Sequence, residues 1–202
     1  MLTLVFDTET TGLPPRGNKS LTKMPYIIQL AAVLFKDQRP VGHLSCMVDP
    51  TTPMGRGVIP QEKFWVDNKL TTSDISDCWL PTELAFKMFD QYLRLADRTV
   101  AHNSKFDEAR IEDTFERLGV SSVHWEDTPK FCTMNSLTNH LKIPGPSWSN
   151  DYKWPNLEEA YRALVDPYGF EDAHDAMADV QACAKVLFAI EDLGLPLLSA
   201  SK

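Results

Sequence analysis

The chain opens on an unbroken apolar and β-branched run, Leu2, Thr3, Leu4, Val5 and Phe6, the pattern of a strand buried on both faces. The run stops in two acids and a turn, Asp7-Thr8-Glu9-Thr10-Thr11-Gly12. A second apolar run covers 26–35 and a third β-rich segment covers 41–48. Joined by turns such as Lys36-Asp37-Gln38-Arg39-Pro40, the three predict a meander. The period then changes. Over 82–95 apolar residues recur at Leu84, Met88, Tyr92 and Leu95, which is helical spacing. Thr99-Val100-Ala101 predicts a short strand ending in His102-Asn103, and 104–118 a helix stopped by Gly119. Residues 123–133 predict a strand broken at Asp127 and Thr128-Pro129, with a helix after it over 134–141. Two more helices follow, 157–165 with Asn156 as cap and 175–193 ending at Gly194-Leu195-Pro196. The stretches 14–20, 49–80 and 142–155 read as loops. The pair Phe64-Trp65 in the second of them reads as a small satellite core.

Acids occupy places where this pattern calls for apolar residues. Residues two apart in a strand share a face, so Asp7 and Glu9 project side by side, with Cα atoms about 6.5–7 Å apart. Carboxylates held that close at a buried edge repel each other, and the remedies are a shared proton, a basic neighbour or a hard divalent cation. No Lys or Arg precedes Arg16, which favours a cation. A solvated turn at Glu9 with Asp7 as its cap is the plainer alternative. The helix over 104–118 turns Ile111, Phe115 and Leu118 inward, and the same stripe carried back one turn reaches Asp107. The helix dipole alone would also favour an acid there. Glu108, Glu112, Asp113 and Glu116 form its solvated face. The last helix turns Cys183, Val186, Ile190 and Leu193 inward, and its stripe runs back to Asp179. His174 stands just before it at the loop-to-helix junction, a place where a histidine also serves as a cap or a surface residue.

Composition narrows the classes. At 202 residues the chain suits one domain with a sizeable core, and residues 1–202 read as a single domain. Cys46, Cys78, Cys132 and Cys183 form no Cys-x-x-Cys pair. Neither a zinc site nor a disulfide framework is expected, and reduced thiols in a cytoplasmic protein are. The start lacks a basic region and no apolar run approaches 18 residues, so neither a signal peptide nor a membrane span is expected. A net charge of −8 speaks against a generic nucleic-acid binder, which would present a basic surface. It leaves room for an enzyme that grips a few nucleotides. Arg16, Lys19 and Lys23 are the basic cluster near the acidic strand end, either a solvated loop or a phosphate contact.

Taken together, the acids form an ordered set. Phe6-Asp7-Thr8-Glu9-Thr10-Thr11-Gly12-Leu13, then Ala101-His102-Asn103-Ser104-Lys105-Phe106-Asp107, then Ala173-His174-Asp175-Ala176-Met177-Ala178-Asp179 resemble the three motifs of the DEDDh group of 3′–5′ exonucleases. The resemblance covers nearly the whole chain, and the Phe131-Cys132-Thr133 pattern with the loop at 145–155 is similar to phage-encoded members. It implies an α/β, ribonuclease H-like fold, a mixed five-stranded sheet flanked by helices. It implies that Asp7, Glu9, Asp107 and Asp179 hold two divalent cations, Mg²⁺ or Mn²⁺, with Asp7 bridging them. His174 would be the general base toward the attacking water. Thr10, Leu13, Asn103 and Phe106 would bind the 3′-terminal nucleotide, Leu13 as an apolar wedge; for Leu13 and Phe106 a core role competes. The substrate implied is a single-stranded 3′ end, with DNA ahead of RNA, in replication or repair and with room for a polymerase partner. Departures include Gln29, where the second strand usually carries Glu, Cys132-Thr133, where many relatives carry Asp before the Thr, and the absence of His-Gly-Ile-Thr from 60–72. A non-catalytic binding or polymerase-accessory module on the same fold is the alternative. Such a module would be expected to have lost one of the five residues, and this chain keeps all five.

Overall fold

Strand β1 (Leu2–Thr10) lies inside the sheet, antiparallel to β2 (Ile27–Lys36) on one side and parallel to β5 (Arg98–Ala101) on the other. This is a computed structural model, and it describes residues 1–17, 20–50, 79–146 and 151–200. Lys19, Phe64-Trp65, Cys78 and most of the loop expected over 49–80 lie outside the described residues. β2 returns through a two-residue turn to β3 (Arg39–Asp49). Asp37 and Gln38 both have positive φ, +50° and +63°, as a type I′ hairpin requires.

Six described strands run in the order β4-β3-β2-β1-β5-β6, with β4 (Leu80–Pro81) and β6 (Lys130–Cys132) at the edges. The expected count was five. The additional strand is two residues long, pairs parallel with Val48 and Asp49, and is too short to carry a periodic signal. Its Pro81 has no N–H to donate, which suits an edge.

Helices cover both faces of the sheet. Alternation along β1 sends Leu4 and Phe6 to one side. There they pack with Phe86, Phe89 and Leu93 of α1 (Thr82–Leu93), Ile111 and Phe115 of α2 (Ser104–Leu118), and Trp125 of α3 (Val123–Asp127). Val5 faces the other side, where Val33 and Val100 meet Val180, Cys183 and Leu187 of α6 (Ala176–Asp192). Beyond α6, its Ala182, Val186 and Ile190 pack on Leu137 of α4 (Thr133–Leu141) and Tyr161 of α5 (Leu157–Leu164). Asn156 caps α5 in a reciprocal pair with Glu159, as its place in the sequence implies.

The structure corrects three local readings. The buried stripe of α1 is Ala85, Phe86, Phe89 and Leu93, while Leu84, Met88 and Leu95 are exposed. Two apolar stripes compete on that helix, and the one carrying two phenylalanines buries more surface. Leu193, placed inward in sequence, is the exposed C-cap of α6. Residues 123–127 are a helix, not the start of a strand. Ser122 accepts from the Trp125 N–H (3.0 Å) and caps it, and Trp125 then anchors in the aromatic cluster around Phe6 and Phe89.

Candidate active site

β1 carries Asp7 and Glu9 on the α6 side of the sheet and Thr8 on the α2 side, by the alternation that sorts Val5 from Phe6. From the α2 side Asp107, fully buried one turn into that helix, reaches Thr8. Its Oδ1 accepts from the Thr8 hydroxyl (2.6 Å) and the Thr8 N–H (3.1 Å). From the other side, the His174 N–H donates to Asp179 Oδ2 (3.2 Å). Ligand atoms of Glu9, His174 and Asp179 lie within 4.8 Å of one another. His174 itself has φ +74°, a conformation few side-chain-bearing residues adopt and one that recurs at functional sites.

The cluster is electrostatically uncomfortable. Burial, followed by the charges of Asp107, Asp179, Glu9 and Asp175, holds Asp7 well above the usual carboxylate range. Burial and then Asp179, Asp107 and Asp175 push Glu9 up to about 8. Asp107 rises to about 7 because burial outweighs the two hydrogen bonds from Thr8 that favour its charged form. Asp179 is raised as well, chiefly by burial, against the opposing pull of the His174 N–H and its charge. None of the four forms an ion pair with Lys or Arg among the described residues. Crowded carboxylate oxygens without a basic partner, in a partly buried cluster, are the donor set that hard divalent cations take, so the residues fit such ions.

The residues expected to bind the terminal nucleotide are more scattered. The Thr10 hydroxyl donates to the Gly12 carbonyl (2.8 Å) and shapes the turn after β1. Leu13 is 84% exposed, so it is not a core residue. Asn103 has φ +59° and is exposed ahead of α2. Phe106 is half-buried beneath the Arg110 guanidinium, 5.7 Å from the ring centroid. Arg16 and Lys23 are exposed.

Sequence reasoning overlooked three contributors. Thr8 lies between the two motif acids, and its role shows only once the strand has two covered faces. His102 donates from Nε2 to the Pro155 carbonyl and pairs through Nδ1 with the Thr133 hydroxyl, each 2.9 Å away. Burial lowers its pKa to about 4 although the Pro155 hydrogen bond works the other way, so it is a neutral tie between β5 and the loop before α5. Asp175 caps α6 and bonds to Gln29. An Asp directly before an apolar periodic run was the available signal.

A mixed sheet with helices on both faces, whose inner strand ends in this acidic cluster, defines the ribonuclease H-like architecture. The exonuclease family model, RNase_T, matches residues 4–187; the chain belongs to this family, and within it to the DEDD-type 3′–5′ exonucleases. A PolC-type DNA polymerase III of Lacticaseibacillus paracasei is 29% identical over 188 residues, covering 93% of this chain and 11% of that protein. A PolC-type relative from Listeria monocytogenes is 24% identical over 183 residues, or 89% and 10% of the two chains. The chain thus spans about a tenth of the length of these curated relatives. Among solved structures, E. coli exonuclease I in complex with a dT13 oligonucleotide superposes with a TM-score of 0.70 at 16% identity, over 94% of this chain and 41% of that one. Cell-death related nuclease 4 gives 0.68 at 17% identity, over 97% and 65%. These two likenesses concern the fold. No helix among the described residues is long and apolar enough to cross a membrane.

Proposed function

We propose that residues 1–202 form one exonuclease domain that removes nucleotides from the 3′ end of single-stranded nucleic acid, DNA in preference to RNA, releasing nucleoside 5′-monophosphates. The observation that supports this most is the meeting of Glu9, His174 and Asp179 within 4.8 Å, with the half-buried Asp7 on the same strand as Glu9 and the buried Asp107 bonded to Thr8 between them. Asp7, Glu9, Asp107 and Asp179 would hold two divalent cations, Mg²⁺ or Mn²⁺. When bound, such a pair clamps the attacking and leaving oxygens of a phosphodiester displacement. His174 takes the proton of the attacking water, and its exposed side chain can pass that proton to solvent. Thr8 holds Asp107 by two hydrogen bonds, which fixes the one acid that comes from the α2 side. Thr10, Asn103 and Phe106 would bind the 3′-terminal nucleotide, and Leu13, 84% exposed, would lie against the terminal base.

The single-strand preference draws on exonuclease I, whose structures hold dT13 and dA16 oligonucleotides. The PolC-type relatives make a polymerase the partner to test. We place the protein in the cytoplasm, in keeping with free thiols at Cys46, Cys132 and Cys183.

The test is a parallel time course on 3′-labelled single-stranded DNA, the same sequence as RNA, and a mismatched primer-template, with Mg²⁺, Mn²⁺ or chelator. Stepwise mononucleotide release, fastest on single-stranded DNA and absent in chelator, is the expected result. Internal cleavage, or binding without hydrolysis of any substrate, would overturn it, and the second outcome would return the chain to a binding module.

A further inference from the structure

Gln29 sits in β2 directly opposite Glu9 and is 8% exposed. Its Nε2 donates to Asp175 Oδ2 (2.8 Å), and its Oε1 accepts from the Ala176 N–H (3.2 Å). The other Asp175 oxygen, Oδ1, accepts from the N–H groups of Met177 and Ala178, 3.1 Å each. One amide side chain therefore joins the sheet to the first turn of α6. His174 immediately precedes that turn and Asp179 lies within it. The backbone leading in is irregular, with Asp172 at φ +58° and His174 at φ +74°, so the regular element nearest His174 is the capped helix itself.

We infer that Gln29 and Asp175 are a positioning pair that sets His174 and Asp179 against Glu9 through hydrogen bonds of fixed donor–acceptor order. The inference rests on the reading of His174 and Asp179 as site residues. The order has no slack. The Ala176 N–H can only donate and the Asp175 carboxylate can only accept, so the residue between them must accept at one end and donate at the other. Gln does this and an ionised Glu does not. Gln29→Glu would face Asp175 Oδ2 with a second acceptor and a second charge. Asp175→Asn would face the Gln29 Nε2 with a donor; flipping the Gln29 amide would only move the conflict to the Ala176 N–H. Making both changes restores the order. The carboxylate at 29 would accept from Ala176 and from the amide at 175, whose oxygen still caps Met177 and Ala178. The double exchange also leaves the site's net charge unaltered, whereas the single changes move it in opposite directions.

The experiment compares the wild type, Gln29→Glu, Asp175→Asn and the double variant by hydrogen exchange at the 176–178 amides in metal-free protein. In parallel, kcat and KM are measured on a 3′-labelled single-stranded oligonucleotide. Each single variant should lose about tenfold or more in amide protection, as for one hydrogen bond to a charged group. Each should lose a comparable factor in kcat, with KM within about threefold. The double variant should recover both to within about threefold. Single variants that keep wild-type exchange and kcat, or that move in opposite directions as a pure charge effect would, overturn the inference. If a single variant fails to fold, the double decides: recovery of the thermal transition and of kcat supports the pair, and a double variant that stays unfolded or slow refutes it. A wild type that hydrolyses nothing, with exchange still following the donor–acceptor order, would overturn the proposed reaction and leave the positioning pair standing.

Discussion

Stripped of divalent cations, the protein should become less stable as pH rises through neutrality, the reverse of the usual behaviour of paired carboxylates. Burial and the neighbouring acids place Asp107 at about 7 and Glu9 at about 8, while in an unfolded chain both titrate near ~4. Between those values the native state binds more protons than the unfolded state, so νU − νN is negative and unfolding free energy falls with pH. The contribution is whole below about pH 4 and is lost progressively until the pH passes the folded values. One extra native proton corresponds to about 1.4 kcal/mol per pH unit. From pH 5.5 to 7.5 a single such proton gives a loss of about 2.7 kcal/mol, and the thermal midpoint of a domain this size should drop by about 5–11 °C. Melts followed by circular dichroism in chelator at pH 5.5, 6.5 and 7.5 measure it directly. In saturating Mn²⁺ the drop should shrink or reverse, because the cations replace the protons. Glu9→Gln should flatten the metal-free slope. A midpoint that stays level or rises with pH in chelator would show that these acids are not strained as described.

Four further outcomes test other parts of the reasoning. Asp7→Asn and Asp179→Asn should abolish hydrolysis while raising the metal-free melting temperature at pH 8, since each removes a repelling charge; near wild-type turnover would remove the residue from the site. His174→Asn, which tolerates the positive φ better than Ala would, should lower kcat by about 10²–10⁴-fold and erase the acidic limb of the rate profile; a retained limb means another base. Phe89→Ala removes a fully buried ring in contact with Phe6, Phe86 and Trp125 and should cost about 3–5 kcal/mol by urea denaturation, so a loss under about 1 kcal/mol would contradict the core described here. With two or three phosphate contacts, oligonucleotide affinity should fall with salt at a log–log slope of only about −1.5 to −2, and a steep slope would reveal an extended basic track.

The sequence was most legible where one residue obeys one rule. Gly119 ends α2 at φ +64° as a left-handed cap should, and the stripes running back to Asp107 and Asp179 are buried at Ile111 and Phe115 and at Cys183, Val186 and Ile190, though not at Leu193. It was least legible where two local rules compete. On α1 the spacing of Leu84 and Met88 is as helical as that of Phe86 and Phe89, and only the sheet beneath decides which pair is covered. Residues 123–127 carry β-favouring Val and Trp, yet a serine cap one residue earlier turns them into a helix. Gln29 was visible only as a departure from a family pattern. Its meaning depends on Asp175, 146 positions away, and no local pattern brings the two together.

The site and the core are set by one register. Along β1 the side chains alternate between a layer built on α1 and α2 and a layer built on α6. Leu4, Phe6 and Thr8 therefore belong to one, and Val5, Asp7 and Glu9 to the other. A one-residue slip would exchange every one of these, burying Asp7 among Phe86, Phe89 and Trp125 and breaking the Thr8 hold on Asp107. The aromatic contacts of Phe6 with Phe89 and Trp125, at 5.8 and 5.7 Å between ring centroids, oppose that slip. So does the pairing of β1 with β2 from Leu2 opposite Lys36 to Glu9 opposite Gln29. The acids repel one another and would, left to themselves, drive the strand end outward. They stay together because moving them would first unpack Phe6, and because Gln29, at the end of the same ladder, holds the first turn of the helix that carries Asp179.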